Sequence, residues 1–124
     1  MIDVRYFVDD PDMAAEFYLT HLGFSEEEAW VAAGPFRMVV RGDLRLWLSG
    51  PGTSASRPMP DGSQPGPGGW NRLVIVVDDL QAEVDRLRAA AVRFRNEIVS
   101  GPGGKQILLE DPSGNVVELF QRAT

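Results

Sequence analysis

At 124 residues the chain is long enough for one compact domain with a real core. Its net charge of -6 and pI near 4.7 argue against nucleic acid and against an anionic membrane surface as partners. The lack of cysteine excludes disulfides, thiolate metal sites and a cysteine nucleophile. The start, Met1-Ile2-Asp3-Val4-Arg5, shows no basic region followed by an apolar run, and no apolar stretch nears the length of a bilayer span. A cytoplasmic protein is expected.

Val4-Arg5-Tyr6-Phe7-Val8-Asp9-Asp10 reads as a strand that stops at an Asp pair. Asp10 is a good N-cap, and Pro11 suits the first helical position, where its missing N–H costs nothing. The helix predicted from there runs to about Leu22, with Met13 and Phe17, and Ala14, Tyr18 and Leu22, at helical spacing. Gly23 ends it. Three strands follow at about 24–31, 36–40 and 44–49, the last two joined by the turn Arg41-Gly42-Asp43.

The stretch 50–69 is too rich in Gly and Pro for a helix or a packed core. It reads as a flexible linker, or else as a loop that folds over a pocket with Met59 and Trp70 as its apolar contacts. The first pattern then repeats. Leu73-Val74-Ile75-Val76-Val77-Asp78-Asp79 matches residues 4–10 and opens a helix predicted over 80–91, with Leu80, Val84, Leu87 and Ala91 on one face. Strands are predicted at about 92–99, 105–109 and 116–121.

Asp111-Pro112-Ser113-Gly114-Asn115 before the last strand is turn chemistry: Pro pre-sets φ, Gly takes positive φ, Asp and Asn bond the local backbone. The strand after it places Glu118 on the face shared with Val116 and Phe120. A carboxylate there requires a partner: a metal, a substrate or an arginine.

Each half is thus β-α-β-β-β. The fold class is α+β: two βαβββ modules (1–49 and 70–124, with linker 50–69) forming a curved mixed sheet around a cup, with the helices on the outside. The whole of 1–124 is one domain. Strand alternation sends Leu44, Leu46, Leu48, Val4, Tyr6, Val8, Ile107 and Leu109 to the helices. It leaves Asp3, Arg5, Phe7, Arg45, Trp47, Ser49, Arg72, Val74, Val76, Gln106, Leu108, Glu118 and Phe120 for the cup, where ligands go. Trp30, Trp47, Trp70, Phe7, Phe36 and Phe120 are candidates for an aromatic lining, with core packing the alternative for each. Trp70 is expected at the rim.

The arrangement resembles the vicinal oxygen chelate superfamily of glyoxalase I, extradiol dioxygenases, and fosfomycin and bleomycin resistance proteins. The residues that carry the likeness in the first half are Val8-Asp9-Asp10, Glu16-Phe17-Tyr18, Leu22-Gly23-Phe24 and Gly42-Asp43-Leu44-Arg45-Leu46-Trp47-Leu48. In the second they are Val77-Asp78-Asp79-Leu80 and 110–120. The resemblance implies the fold but does not choose among the chemistries the superfamily hosts. In its catalytic members a divalent ion is held by His, Glu or Gln from the first and last strand of each half. Carried over by position, those places are Asp3, Arg45 or Trp47, Arg72 and Glu118.

Only Glu118 matches. Two carboxylates make a poor transition-metal site, arginine stays protonated, and tryptophan offers no lone pair. The single histidine, His21, lies late in the first helix, where a structural or surface role is expected. No metal ligand is therefore assigned, no cofactor is expected, and Arg72 is expected to pair with Glu118 in place of the metal.

The leading expectation is a metal-free protein that binds a drug-like aromatic ligand, resembling bleomycin resistance proteins and, by resemblance, a homodimer. Its ligand-binding residues are Asp3, Arg5, Phe7, Arg45, Trp47, Trp70, Arg72, Gln106, Leu108, Glu118 and Phe120. The alternative is a metal-dependent glyoxalase-like lyase or isomerase, or a dioxygenase, which needs a divalent Lewis acid. A metal-free acid/base enzyme would use Glu118, the best catalytic candidate, or Asp3. A third reading is a scaffold that binds protein at the cup edge.

Overall fold

The computed structural model describes residues 1–27 and 34–124. Both Asp pairs open helices as their spacing predicts. Asp10 Oδ1 accepts from the amides of Asp12 at 3.0 Å and Met13 at 3.3 Å, with Pro11 at the first position of α1 (Pro11–His21). Asp79 accepts from the Ala82 amide at 3.1 Å and opens α2 (Leu80–Ala89). These bonds satisfy amides that the first helical turn leaves without intrahelical partners.

Helix α1 gives way at Gly23, whose φ of 72° is the left-handed turn a glycine takes without strain. Helix α2 ends two residues before the predicted Ala91, because Ala91 itself takes φ 61° and turns the chain out. Ala91 is consequently exposed, and the buried face of α2 is Leu80, Val84 and Leu87 alone. Met13 is likewise exposed; α1 buries Ala14, Ala15, Phe17 and Tyr18.

Residues 1–68 form one unit and 69–124 another. In the first, β1 (Ile2–Phe7), β2 (Ser25–Glu26), β3 (Phe36–Arg41) and β4 (Leu44–Ser49) lie in the order β1-β4-β3-β2. β1 pairs with β4 in parallel and the other neighbours are antiparallel. In the second, β5 (Leu73–Val76), β6 (Val99–Gly101), β7 (Gly104–Glu110) and β8 (Val116–Arg122) take the order β5-β8-β7-β6 with the same directions. Each unit is thus a βαβββ module with an open four-stranded mixed sheet. The cores are Leu46, Leu48 and Val39 under α1 and Ile107, Leu109, Val117 and Leu119 under α2, all essentially inaccessible.

Two predicted strands need correction. Of the one expected at 24–31, the described part pairs only at Ser25–Glu26, and 28–31, with Trp30, lie outside the described residues. The one expected at 92–99 is a bridge at Phe94 to Leu109, then β6 from Val99. Its ladder breaks at Asn96, whose side-chain Oδ1 accepts the Leu108 amide at 2.9 Å where a strand would offer a backbone carbonyl.

The Gly/Pro-rich segment stays with the first module. Thr53 Oγ1 and Ser56 Oγ lie 2.9 and 2.8 Å from the Gly50 carbonyl, and Gln64 Nε2 donates to the Ser56 carbonyl at 2.6 Å. The turn before β8 is caged by Asp111, which is buried. Its Oδ1 accepts from the Ser113 and Asn115 amides at 2.9 Å each, and its Oδ2 from the Asn115 side chain at 3.0 Å. That cage fixes where β8 starts, and so the face on which Glu118 lies.

Candidate functional site

In the first module the site builds from the β1–β4 register. Asp3 stands beside Arg45, Arg5 beside Trp47 and Phe7 beside Ser49. Leu46 and Leu48 take the α1 side, so these six residues share the other face. β3 adds Phe36 and Met38 to it, opposite Ser49 and Trp47.

Arg45 donates from Nε and Nη2 to the two carboxylate oxygens of Asp3, at 2.7 and 3.3 Å, and from Nη1 to Glu27 at 3.1 Å. The Arg45 guanidinium holds the Asp3 carboxyl below its ordinary 3.8, and Asp3 in turn raises Arg45. A carboxyl whose folded value is depressed contributes stability that is fully present above its unfolded value and is lost as pH falls through the folded one. The Asp3→Asn variant should therefore melt below the parent at pH 7, with the gap closing as the pH drops below 3.8. An identical gap at pH 7 and about pH 2.5 would refute this.

The Arg5 guanidinium lies over the Trp47 ring, 4.9 Å from its centroid, and Phe36 meets the same ring edge-on at 5.8 Å. Arg5 makes no ion pair among the described residues. Beside it opens a cavity of ≈ 340 Å³ lined by Arg5, Phe36, Ser49, Gly52, Thr53 and Ser54, among others. Ser49 is 1% exposed, and its hydroxyl has no hydrogen-bond partner among the described residues.

In the second module Val74 stands beside Glu118 and Val76 beside Phe120, with Leu108 and Gln106 across from them on β7. Glu118 is buried, and Arg72 donates to its Oε1 from Nε at 3.0 Å and Nη2 at 2.9 Å. The ion pair expected from the sequence is thus formed. By the internal repeat, Arg72 takes the place in this module that Asp3 takes in the first. Trp70 is exposed and is held by Arg95, whose guanidinium lies 4.6 Å from its ring centroid. Arg95 also donates to the carbonyls of Gly69 at 2.9 Å and Gly114 at 3.0 Å.

The predicted residues therefore gather as two groups, one per module: Asp3, Arg5, Phe7, Arg45 and Trp47; and Trp70, Arg72, Gln106, Leu108, Glu118 and Phe120. Sequence reasoning missed Arg95, because a regular strand over 92–99 gave no ground to single it out. It also gave Thr53 and Ser54 no binding role, since a Gly/Pro-rich stretch does not disclose where it folds back.

The donors present do not fit a divalent metal. Glu118 Oε1 is taken by a guanidinium, and Asp3 is gripped by Arg45. His21 packs against Phe17, ring centroids 5.4 Å apart. Among the described residues no three His, Cys, Asp or Glu side chains gather to hold an ion.

The sequence matches the family model of the Glyoxalase/Bleomycin resistance protein/Dioxygenase superfamily over residues 2–119. The chain belongs to this superfamily. No curated protein sequence matches it. Among solved members of the superfamily, TnmS3, an antibiotic binding protein from Streptomyces sp. CB03234, is 26% identical with a TM-score of 0.75, covering 98% of this chain and 93% of that one. A glyoxalase/bleomycin resistance protein from the same organism is 26% identical with a TM-score of 0.67, covering 96% and 97%. Lactoylglutathione lyase from Agrobacterium tumefaciens shares the superfamily fold at 22% identity and a TM-score of 0.74, covering 98% and 92%. Among the described residues no helix is long and apolar enough to cross a membrane.

Proposed function

We propose that this member of the superfamily binds a small aromatic, drug-like molecule without a metal, and does no chemistry on it. The observation that carries the reading is the Arg72–Glu118 pair. At the one position where the resemblance implies a metal ligand and the residue type matches, the carboxylate is committed to a guanidinium, which repels a cation. Trp47 and Phe36 form a wall for a planar ligand in the first module, beside a cavity near the lower end of the ~300–1,000 Å³ range that holds small molecules. The likeness to TnmS3 supports an antibiotic as the kind of ligand. A cytoplasmic homodimer is the form in which the protein is expected to act.

The test is metal content. After incubation with Ni, Zn, Mn or Fe(II) and desalting, the protein should carry no stoichiometric ion, and Arg72→His, which frees Glu118 and adds an imidazole, should carry more than the parent. One tightly held ion per parent chain overturns the reading and makes glyoxalase and dioxygenase assays the next step.

A further inference from the structure

The reading above leaves open what kind of aromatic molecule is held, and the first module's cavity narrows it. Three observations converge there. Arg5 is held over Trp47 at the edge of the cavity and makes no ion pair among the described residues. In a chain of net charge -6, with 18 Asp and Glu, no carboxylate is among the described lining residues. Ser49 is among the lining residues, and its hydroxyl is buried with no hydrogen-bond partner among the described residues, although a buried unpaired donor is destabilising. Ser49 also borders a second, smaller cavity of ≈ 140 Å³ under residues 64–67.

Among the described residues the cation has no counter-ion, the hydroxyl has no acceptor and the lining carries no carboxylate, and all three features suit an oxyanion. We propose that the ligand is an aromatic acid whose carboxylate, or an equivalent oxyanion, enters this cavity. Arg5 supplies the charge, Ser49 Oγ–H donates to an oxygen, and the aromatic body lies against Phe36 and Trp47. A guanidinium presents its donors as a planar fork that matches the two oxygens of a carboxylate. The cation–π contact fixes the guanidinium in advance, which lowers the ordering cost of binding. This inference rests on the binding reading above and names the chemical class of its ligand.

The probes are 2-naphthoate and its neutral isostere 2-naphthamide, titrated by calorimetry and tryptophan fluorescence into the full-length protein. Naphthoate should bind at least about tenfold tighter than naphthamide. Arg5→Gln should abolish that preference, and Arg5→Lys should restore part of it, which separates lost charge from lost folding. Ser49→Ala should weaken naphthoate binding without lowering the melting temperature, since the hydroxyl it removes bonds nothing among the described residues. Equal binding of the two probes by the parent overturns the acid preference and leaves the binding reading standing. No binding of either probe up to about millimolar concentration overturns both. Loss of naphthoate binding in Arg5→Gln and Arg5→Lys alike, with unchanged melting temperatures, also overturns the proposal, because charge would then not be what is recognised.

Discussion

Replacing Arg72 by alanine is expected to destabilise the protein by about 2–3 kcal/mol, a large effect for a half-exposed side chain. The loss comes less from the attraction forfeited than from the carboxylate left behind. Glu118 is 7% exposed, between Val116 and Phe120 on β8, and Arg72 donates twice to its Oε1. The partner's partial exposure keeps the figure below the range for fully buried pairs. Because the penalty belongs to the orphaned charge, removing the charge should remove the penalty. The double variant Arg72→Ala/Glu118→Gln should recover most of the loss, with urea unfolding of the parent, both single variants and the double giving the coupling. If Arg72→Ala lies within about 0.5 kcal/mol of the parent, Glu118 is solvated well enough to stand alone and the pair is incidental.

The second large effect is expected at Gly104→Ala. Gly104 opens β7 at φ 148°, and a Cβ placed there would sit 2.1 Å from the Gln121 carbonyl oxygen and 3.0 Å from Cζ of Phe120. The first neighbour is backbone in the adjacent strand and cannot rotate away. β7 and β8 must therefore separate locally, and the loss should exceed about 3 kcal/mol. Gly101 is the control built into the same hairpin. It is the register partner of Gly104, and a Cβ there meets nothing within 4 Å. Circular dichroism in urea should show Gly101→Ala near the parent and Gly104→Ala far below it; equal midpoints would mean that the strands can absorb the methyl group.

Much of the fold was legible because its signals are local. An Asp pair before an apolar helical face, a glycine after it and strict alternation in 44–49 each act within a few residues, and twice over. The Arg72–Glu118 pair was legible for two reasons: a carboxylate on an apolar strand face implies a partner, and the resemblance placed Arg72 where catalytic relatives carry a metal ligand opposite it. Asp3 and Arg45 were assigned to one face but not to each other, since their contact depends on the parallel register of β1 on β4. No residue in either strand spells out that register. Arg95 was hidden by Asn96, whose side chain replaces a backbone partner and spoils the strand that alternation suggests. The cavity beside Arg5 was out of reach altogether, because part of its wall is a glycine-rich turn whose path is set by three bonds to Gly50 and Ser56.

The equivalence of Asp3 and Arg72 has a consequence for anyone who would recombine the halves. The two copies share a topology but carry opposite signs at one matched position, and each sign is answered on a strand of its own sheet, by Arg45 in one and Glu118 in the other. A chimaera that moved the first strand of one copy into the other would set guanidinium against guanidinium, or carboxylate against carboxylate. The charges thus act as a key that tells the duplicates apart, and a first strand is matched only to the sheet of its own copy.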